Sequence, residues 1–386
     1  MINIKDKSKC CGCSACMNKC PKDAIIMVED EYGFKYPQVD MEKCINCGLC
    51  EKVCPYNNEY DEKEVFEKSI AYGGWNTDEN IRAISTSGGV FTSIAKYIIK
   101  KNGVVCGAIY DKDLNVVHDI VDNLDDLKKM NGSKYVQSDM KENFRKIREK
   151  LDKGVYVLFS GTPCQVSGLN SFLAKEYDNL YTCDIVCHGV PSPKVFEKYK
   201  KELEKENNSK LVDLNFRDKV SGWQGYSLST KFDNKKSFSV NAQKTSYMKA
   251  FLSDIDLRDS CPTCKFAKLP RYADFTLGDF WGVDECYPNL NPDNKGTSLI
   301  LVHTKKGNDL LKGLKDIHIQ ECDLDKAIKG NPSILKHLPA NKNREKFFNE
   351  LDNNNLNAIV ERYTKVSIVK KVLRKGKSIV KKVLKK

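Results

Sequence analysis

Eight cysteines near the amino terminus constrain this chain more than any other feature. They form two runs with the same spacing, which are Cys10, Cys13, Cys16 and Cys20 before Pro21, and Cys44, Cys47, Cys50 and Cys54 before Pro55. Within each run, three closely spaced thiolates can bind three irons of one cubane from a single tight loop. The fourth iron needs a thiolate from elsewhere in the chain. The spacing therefore predicts two [4Fe–4S] clusters.

The ligand assignment follows from the same pattern, because in bacterial two-cluster ferredoxins the fourth cysteine of each run ligates the other cluster. Cluster one is assigned to Cys10, Cys13, Cys16 and Cys54, and cluster two to Cys44, Cys47, Cys50 and Cys20. Zinc is the alternative metal, but zinc sites usually use separated cysteine pairs. Cys11 breaks the ligand spacing and is predicted to be a spare thiol.

The number of cysteines, together with the amino-terminal sequence, also predicts the cellular compartment of the protein. The chain has 17 cysteines in 386 residues, and its amino terminus has no apolar stretch that would serve as a secretory signal. No apolar run reaches the roughly 18 residues that a membrane span needs. We therefore expect a cytoplasmic protein with reduced thiols, in which many cysteines indicate metal ligation or redox chemistry.

The net charge of +12 is concentrated in the carboxyl-terminal tail. Residues 361–386 carry eleven Lys or Arg and one acid, which leaves the rest of the chain nearly neutral. A general polyanion-binding surface is therefore not supported, and no nucleic-acid partner is predicted.

Changes in composition divide the chain into four regions. They are a ferredoxin-type domain at 1–56, a polar linker at 57–68, a core at 69–335 with parts at 69–152 and 153–335, and a polar region with a basic tail at 336–386. The core alternates short β-rich runs with amphipathic helical stretches, which is typical of a mixed α/β domain. The fold class is therefore α+β, with a dicluster module, a larger mixed core and a basic amphipathic helix at the carboxyl terminus.

A third group of cysteines lies within the core. Cys164 and Cys187 each follow a predicted strand, and Cys261 and Cys264 form a C-x2-C pair. If the two strands share one sheet, both sulfurs emerge at its carboxyl edge, where ligand sites of α/β proteins form. Spacing alone allows a third cluster, structural zinc, a redox-active pair or buried thiols. The remaining cysteines are predicted to be buried without a ligand, and these are Cys106, Cys183, Cys286 and Cys322.

Five segments of the core, in this order, resemble the coenzyme F420 hydrogenase/dehydrogenase beta-subunit family. They are Ser85–Phe91, Gly132–Ser138, Gly161–Gln165, Cys187–Pro193 and Gly278–Gly282. The resemblance covers residues 1 to about 320, with the dicluster module ahead of the core. It implies FAD and a [4Fe–4S] cluster in the core, with Cys164, Cys187, Cys261 and Cys264 as the ligands of that cluster.

The resemblance also implies a set of flavin contacts. These are Ser85, Ser87, Gly88, Gly89, Gly132, Ser133, Lys134, Tyr135, Gln137, Thr162, Gln165 and His188. Ser85 to Gly89 precede a predicted helix, whose free amides are suited to a pyrophosphate. A plain helix cap, a solvated Lys134 and a turn-stabilising His188 are the alternatives. Trp223 and Trp281 are expected either to cover a ring system or to pack in the core.

The predicted function is therefore that of a flavin-dependent iron–sulfur oxidoreductase. Electrons would pass between a small two-electron substrate, such as coenzyme F420, and a ferredoxin or partner subunit, in either direction. Family members also act on other substrates, and no motif here identifies F420. A flavin-free electron carrier or scaffold, and a reductase in surface polysaccharide biosynthesis, are the alternative functions.

The tail contains a repeat of eleven residues. Ser367–Lys375 recurs as Ser378–Lys386, and this offset of about three helical turns places both apolar sets on one helix face. Such a helix suits an anionic membrane surface or an acidic partner, and the protein would then be peripheral at the inner membrane face. Gly376 weakens the helix, so a free solubilising tail is the alternative. The repeat has no aromatic residues that would stack on RNA bases.

Overall fold

The helices and strands were located in a computed structural model, which describes residues 1–58 and 64–364. The strands are β1 (Ile25–Glu29), β2 (Lys35–Val39), β3 (Ile70–Asn76), β4 (Val104–Tyr110), β5 (Val116–Val121), β6 (Val157–Gly161), β7 (Leu180–Ile185), β8 (Leu211–Asp218), β9 (Ser227–Phe232), β10 (Ser237–Asn241), β11 (Phe275–Asp279), β12 (Ser298–Val302) and β13 (Ile317–Cys322). The α-helices are α1 (Ala15–Lys19), α2 (Leu49–Lys52), α3 (Glu79–Ile84), α4 (Val90–Lys100), α5 (Leu124–Leu127), α6 (Asn143–Asp152), α7 (Pro163–Leu173), α8 (Pro193–Asn207), α9 (Ser246–Leu252), α10 (Val283–Cys286), α11 (Lys305–Gly313), α12 (Leu324–Ile328), α13 (Arg344–Leu351) and α14 (Leu356–Thr364).

Residues 1–58, here called the head, fold around the two cysteine runs. An antiparallel hairpin of β1 and β2 lies between them, and one short helix follows the first cysteines of each run. The apolar interior of the head is small, with Ile2, Ile25 and Cys50 as its buried members. So small an interior cannot by itself offset the loss of chain entropy, and bound metal is the usual supplement in domains of this size.

The core is built on an eight-stranded mixed sheet with the order β13-β3-β12-β11-β7-β6-β4-β5. Strands β4, β6, β7 and β11 run parallel at its centre, while β12, β3, β13 and β5 pair antiparallel on the flanks. Strands β6 and β7 are direct neighbours, with Val157 opposite Leu180. The predicted mixed α/β core is confirmed, as is the expectation that the strands before Cys164 and Cys187 share one sheet.

Alternating side chains of the sheet enter two separate apolar layers. On one face, Val105 and Leu158 pack with α4 and α11. On the other face, Val157 and Phe159 pack with α6, α7 and the segment of the head around Cys13. A strand buried on both faces reads as a continuous apolar run, which is why the sequence around β6 predicts a buried strand. The head thus belongs to one of the two layers that cover the sheet.

A second, three-stranded antiparallel sheet of order β10-β9-β8 packs with α8, α9, α13 and α14. Phe347, Leu351 and Ile359, from the last two helices, are all fully buried in this layer. Packed structure therefore continues to residue 364, beyond the boundary at residue 335 that the sequence predicts. The local sequence is polar because only one face of each helix is covered.

Some sequence expectations differ from the structure or fall outside it. Helix α7 begins at Pro163, because Thr162 and Gln165 form a capping box around its first turn. Residues 59–63 of the linker and the repeat at 367–386 lie outside the described residues. None of the helices in the described ranges has the length and apolar character to span a bilayer.

Candidate functional site

The carboxyl ends of three parallel strands meet at one edge of the core sheet. Strand β6 ends at Gly161 and leads into α7, β7 ends just before Cys187, and β11 ends at Asp279. Open α/β sheets bind ligands at this edge, because the loops that leave it diverge and form a crevice. The residues around these three strand ends line two adjoining cavities.

The smaller cavity, here called the cysteine pocket, brings the core cysteines together. It is lined by Cys11, Cys164, Cys187, Cys261 and Cys264. Burial raises the pKa of the Cys187 thiol well above its usual value, and the three other core cysteines raise it further. Arg271 partly offsets this increase. The structure therefore gathers the four thiols that the resemblance implies as ligands of a core cluster.

Hydrogen-bond donors surround these thiols. The backbone N–H of Val190 donates to the sulfur of Cys261 at 3.4 Å, and the Thr162 hydroxyl lies 3.1 Å from the sulfur of Cys164. Cys164 is also in the first turn of α7, where the helix dipole favours a negative sulfur. This is the environment that thiolate ligands of a metal centre require.

Cysteine thiolates are ligands of both structural zinc and iron–sulfur clusters. A zinc site needs four ligands at about 2–2.3 Å from a single ion. In a cubane each sulfur binds a different iron, so the thiolates stand farther apart. In the described ranges, no three His, Cys, Asp or Glu side chains are arranged to hold one metal ion.

Cys11 has a more defined position than the sequence predicted. It is 7% exposed, and its thiol contacts both Cys13 of the head and Cys164 of the core. Hydrogen bonding with Cys11 and burial raise the pKa of Cys164 well above its usual value. The local spacing gives no signal for this contact, because it depends on how the head sits against α7.

Three of the four remaining cysteines are buried as predicted, namely Cys106, Cys183 and Cys322. The prediction that Cys286 is buried is wrong, because this residue is only partly buried. It ends the short helix α10, and its sulfur bonds to the carbonyl of Gly282. Cys183 also lines the larger cavity.

The head gathers its cysteines in two sets. Burial raises the pKa of the Cys16 thiol, and nearby Cys10 and Cys54 raise it further. Cys13 lies within electrostatic reach of Cys10 and Cys16. A separate cavity is lined by Cys20, Cys44, Cys47 and Cys50. The structure thus brings the head cysteines together in two neighbouring places, and the assignment of each thiol to one cluster stays a prediction.

The larger cavity, here called the central cavity, has a volume of about 560 Å³. Eleven of the twelve implied flavin contacts line it, and these are Ser85, Ser87, Gly89, Gly132, Ser133, Lys134, Tyr135, Gln137, Thr162, Gln165 and His188. Gly88 is not among the lining residues. The central cavity shares Cys11, Cys164, Cys187 and His188 with the cysteine pocket. The two sites are therefore contiguous.

The loop before α4 is held by its own hydroxyl groups. Ser85 donates to the carbonyl of Ile81 at 2.7 Å, and Ser87 donates to the carbonyl of Thr297 at 2.7 Å. Gly89 caps α4 with a φ of +83°, a left-handed conformation that favours glycine. Because both serine hydroxyls are engaged, a ligand at this loop would meet the amides of the first turn rather than those side chains.

Lys134 and His188 occupy defined positions at the central cavity. The amine of Lys134 donates to the carbonyls of Asn131 and Gly132, each at 3.1 Å. Burial lowers the pKa of Lys134 to about 7, so a solvated surface lysine is the wrong description. His188 is held by Asp254, with 2.7 Å between Nε2 and Oδ1, and it lies where the two cavities join.

Sequence reasoning missed a group of residues on one wall of the central cavity. Arg217, Tyr226 and Asp279 line it together with Trp281. Trp281 stacks on the fully buried Trp223, with ring centroids 5.0 Å apart. Trp281 is thus available to a ligand while Trp223 packs in the core. The isolated Arg and Tyr have no motif that would have identified them.

Two observations indicate that the central cavity is suited to a flavin. The volume lies within the roughly 300–1,000 Å³ of small-molecule sites. Two lining residues also have buried nitrogen atoms without a hydrogen-bond partner among the described residues, and these are Nδ1 of His118 and the Nε and Nη2 atoms of Arg217. Burial lowers the pKa of His118 to about 4, so its imidazole is neutral and its Nδ1 accepts. A polar ligand would complete these bonds.

The dicluster head and the cysteine-lined core define the chain as an iron–sulfur redox protein. Family models agree, with the "4Fe-4S dicluster domain" matching residues 9–58. The models for the N-terminal and C-terminal parts of the "Coenzyme F420 hydrogenase/dehydrogenase, beta subunit" match residues 71–144 and 155–326. Because these two cover well over half of its length, the chain belongs to the coenzyme F420 hydrogenase/dehydrogenase beta-subunit family.

No curated protein matches the chain in sequence. A chain from the F420-reducing [NiFe] hydrogenase complex of Methanosarcina barkeri aligns with a TM-score of 0.45 and 14% identity. The alignment covers 76% of this chain and 95% of that one.

Proposed function

We propose that the protein transfers electrons between a small two-electron substrate in the central cavity and a one-electron redox partner at the head. The substrate is a deazaflavin of the F420 type or another small molecule, and the partner is a ferredoxin or a partner subunit. The observation that carries this proposal is the shared wall of the two cavities, to which Cys164, Cys187 and His188 contribute.

The proposed cofactors are FAD in the central cavity and a third [4Fe–4S] cluster in the cysteine pocket. When bound, a flavin exchanges an electron pair with a substrate and single electrons with iron–sulfur clusters. The amides at the start of α4, together with Gly132, Ser133 and Lys134, would hold the flavin. Cys164, Cys187, Cys261 and Cys264 would hold the cluster.

The residues between the two cavities have roles that follow from their contacts. His188, fixed by Asp254, lines both the central cavity and the cysteine pocket. Burial raises the pKa of Cys187 and Cys264, and Arg271, which lines the pocket, partly offsets this rise and so favours the thiolate form of both ligands. Asp184 holds Arg271 in place through an ion pair of 3.0 Å between buried side chains.

Contacts between the head and the core support an electron path toward the surface. Cys13 of the head would be separated by only 2.8 Å from a Cβ atom built on Gly168 of α7. Tyr56 and Cys11 line the cysteine pocket although both belong to the head. The distance from the core thiols to the head is therefore short, and single electrons would pass between them without leaving the protein.

The first test is the metal and flavin content of the full chain purified without oxygen. We expect about twelve irons and one FAD per chain, the sum for three cubanes and one flavin. Cys164→Ala should lose about four irons while the head keeps its clusters. Cys106→Ala is the matched control, because Cys106 is fully buried in β4 but lies outside the cysteine pocket, and it should keep every iron.

The outcome also separates the proposal from its main competitor. Eight irons with zinc and no flavin would indicate an electron carrier that turns over no substrate. A Cys164→Ala variant that retained all its iron would refute the ligand assignment in the core.

A further inference from the structure

Arg217 on β8 has unsatisfied hydrogen-bond donors in a buried position. The residue is 4% exposed and lines the central cavity. Its Nη1 atom donates to Asp279 at 2.8 Å and to the hydroxyl of Tyr135 at 3.0 Å. Its Nε and Nη2 atoms have no partner among the described residues. A buried cation with two unused donors is costly, so an acceptor from outside the chain is expected.

The faces of this guanidinium are covered. Its Cζ atom lies 3.9 Å from the ring centroid of Tyr226 and 5.4 Å from that of Trp281. Both rings line the central cavity with Arg217. A ligand would therefore approach the Nε–Nη2 edge rather than a face. That edge presents two parallel N–H groups, which match the two oxygens of a phosphate or carboxylate.

Arg82 shows that a buried arginine of this chain can have its donors paired, whereas Arg271 also has an Nε atom with no partner among the described residues. It is 1% exposed, yet its Nε donates to the carbonyl of Gly296 and its two Nη atoms bind Asp293. Lys219, two residues after Arg217, likewise donates to the carbonyls of Arg82, Ser87 and Lys295. Arg217 differs from both because its buried Nε and Nη2 atoms have no partner among the described residues.

The charges around the central cavity favour an anion. Asp279 is the sole acid among the described residues that line it, and it is engaged by Arg217 and by Nε1 of Trp223. Lys134 is a second potential cation in the lining. The amino end of the eleven-residue helix α4 opens into the same cavity and adds a positive dipole end. Lys219 ties the loop at that helix end to the strand segment next to Arg217.

We propose that Arg217 binds a phosphate group of the ligand in the central cavity through Nε and Nη2, beside the amino end of α4. The inference rests on the proposed function for the existence of that ligand. It assigns a role to a residue outside the motifs that carried the family resemblance. The phosphate belongs either to the pyrophosphate of FAD or to the two-electron substrate, and the chemistry at Arg217 is the same.

The test compares Arg217→Met and Arg217→Lys with the wild type, using the full chain with its clusters after removal of flavin. FAD, riboflavin and inorganic pyrophosphate are titrated, and dissociation constants are measured by flavin fluorescence and by calorimetry. Arg217→Met removes the charge and the donors, whereas Arg217→Lys keeps the ion pair with Asp279 but loses the planar edge. Arg82→Met is the control for loss of a buried arginine away from the cavity.

If the phosphate is that of FAD, Arg217→Met weakens FAD binding by about 10- to 100-fold and leaves riboflavin binding unchanged. If it is that of the substrate, both flavins bind normally, and pyrophosphate binds the FAD-loaded wild type but not the variant. Arg217→Lys should show an intermediate loss in the same assay. Arg82→Met should bind all three probes as the wild type does.

Equal binding of FAD, riboflavin and pyrophosphate by wild type and Arg217→Met would overturn the inference. A failure of the phosphate site at Arg217 can be distinguished from a failure of the proposed function. A wild type that binds no flavin, but binds pyrophosphate in an Arg217-dependent manner, would refute the flavin proposal and leave the phosphate site standing.

Discussion

Cysteines at the two ends of the head have different surroundings. At the inner end, Cys13 is 7% exposed and packs against α7, and Arg258 donates from Nη2 to the sulfur of Cys10 at 3.5 Å. At the outer end, Cys47 is exposed and Ile45 beside it is 59% exposed. One cluster site is therefore enclosed by the core, while the other faces solvent.

The difference assigns separate roles to two sites that have the same cysteine spacing. Burial and hydrogen bonds to sulfur control the reduction potential of a cluster, and solvent access controls which molecules can exchange electrons with it. The inner site is suited to exchange with the cysteine pocket. The outer site, with its exposed apolar residues, is suited to an external partner. This division of roles can be tested by four comparisons.

The largest expected effect is the loss of one of the two clusters of the head. Cys47→Ala should leave only the inner cluster in the head, and Cys13→Ala only the outer one, each with about four irons fewer than the wild type. With a chelator and a mild oxidant, iron release from the head of Cys13→Ala should be at least about tenfold faster, because the outer site is exposed. Iron release is followed by absorbance of the chelate. Equal rates would show that the two ends are equally accessible.

The second comparison concerns the docking of the head. Gly168→Ala in α7 would place a Cβ atom 2.8 Å from both Cβ and Sγ of Cys13. Overpacking of this kind costs about 1–3 kcal/mol, so the free energy of unfolding should fall in thermal or denaturant melts. Gly313→Ala, at the end of α11, is the control because, in the part of the chain that the structure describes, no other segment comes within 4 Å of its added Cβ atom. A Gly168→Ala variant as stable as this control would mean that the head is not tightly packed there.

The third comparison uses two arginines that both hold the head. Arg258 is fully buried and reaches the sulfur of Cys10, whereas Arg145 donates to the carbonyls of Met17, Asn18 and Cys20. Arg258→Gln should lower the potential of the inner cluster by about 60 mV, equivalent to a tenfold change in equilibrium constant. Arg145→Gln should loosen the head without that shift.

Potentials for both variants are read from redox titrations monitored by electron paramagnetic resonance. A shift of the same size in Arg145→Gln would mean that head docking, rather than the bond to sulfur, sets the potential.

The smallest effect on stability is expected for a substitution at the exposed outer end of the head. Ile45→Lys should change the free energy of unfolding by less than about 0.5 kcal/mol, because the side chain is exposed. It should nevertheless slow reduction of a protein acceptor such as a ferredoxin, while reduction of a small dye is unchanged. Val220→Lys, at a 69% exposed position outside the head, is the control. If both variants slow the acceptor equally, the outer end is not the docking site.

Much of the fold could be predicted from local sequence. The buried run at β6, the periodic helix α4 and the two cysteine runs each carry their signal within a few residues. The strand order of the eight-stranded sheet could not be predicted in this way, because β3 pairs with β12 and β13, which lie more than 200 residues away in sequence. The sequence places helices α13 and α14 in a polar tail, because only one face of each helix is covered.

Cysteine spacing is a local property, so the sequence alone predicts that Cys10, Cys13 and Cys16 bind one cluster. Cys54 is predicted as the distant fourth ligand from the two-cluster ferredoxin pattern. The surroundings of these sulfur atoms depend on the tertiary structure. Cys11 reaches Cys164, Arg258 reaches Cys10, and two donors of Arg217 have no partner among the described residues. Such contacts depend on the packing of segments far apart in sequence, and residue types alone do not encode them.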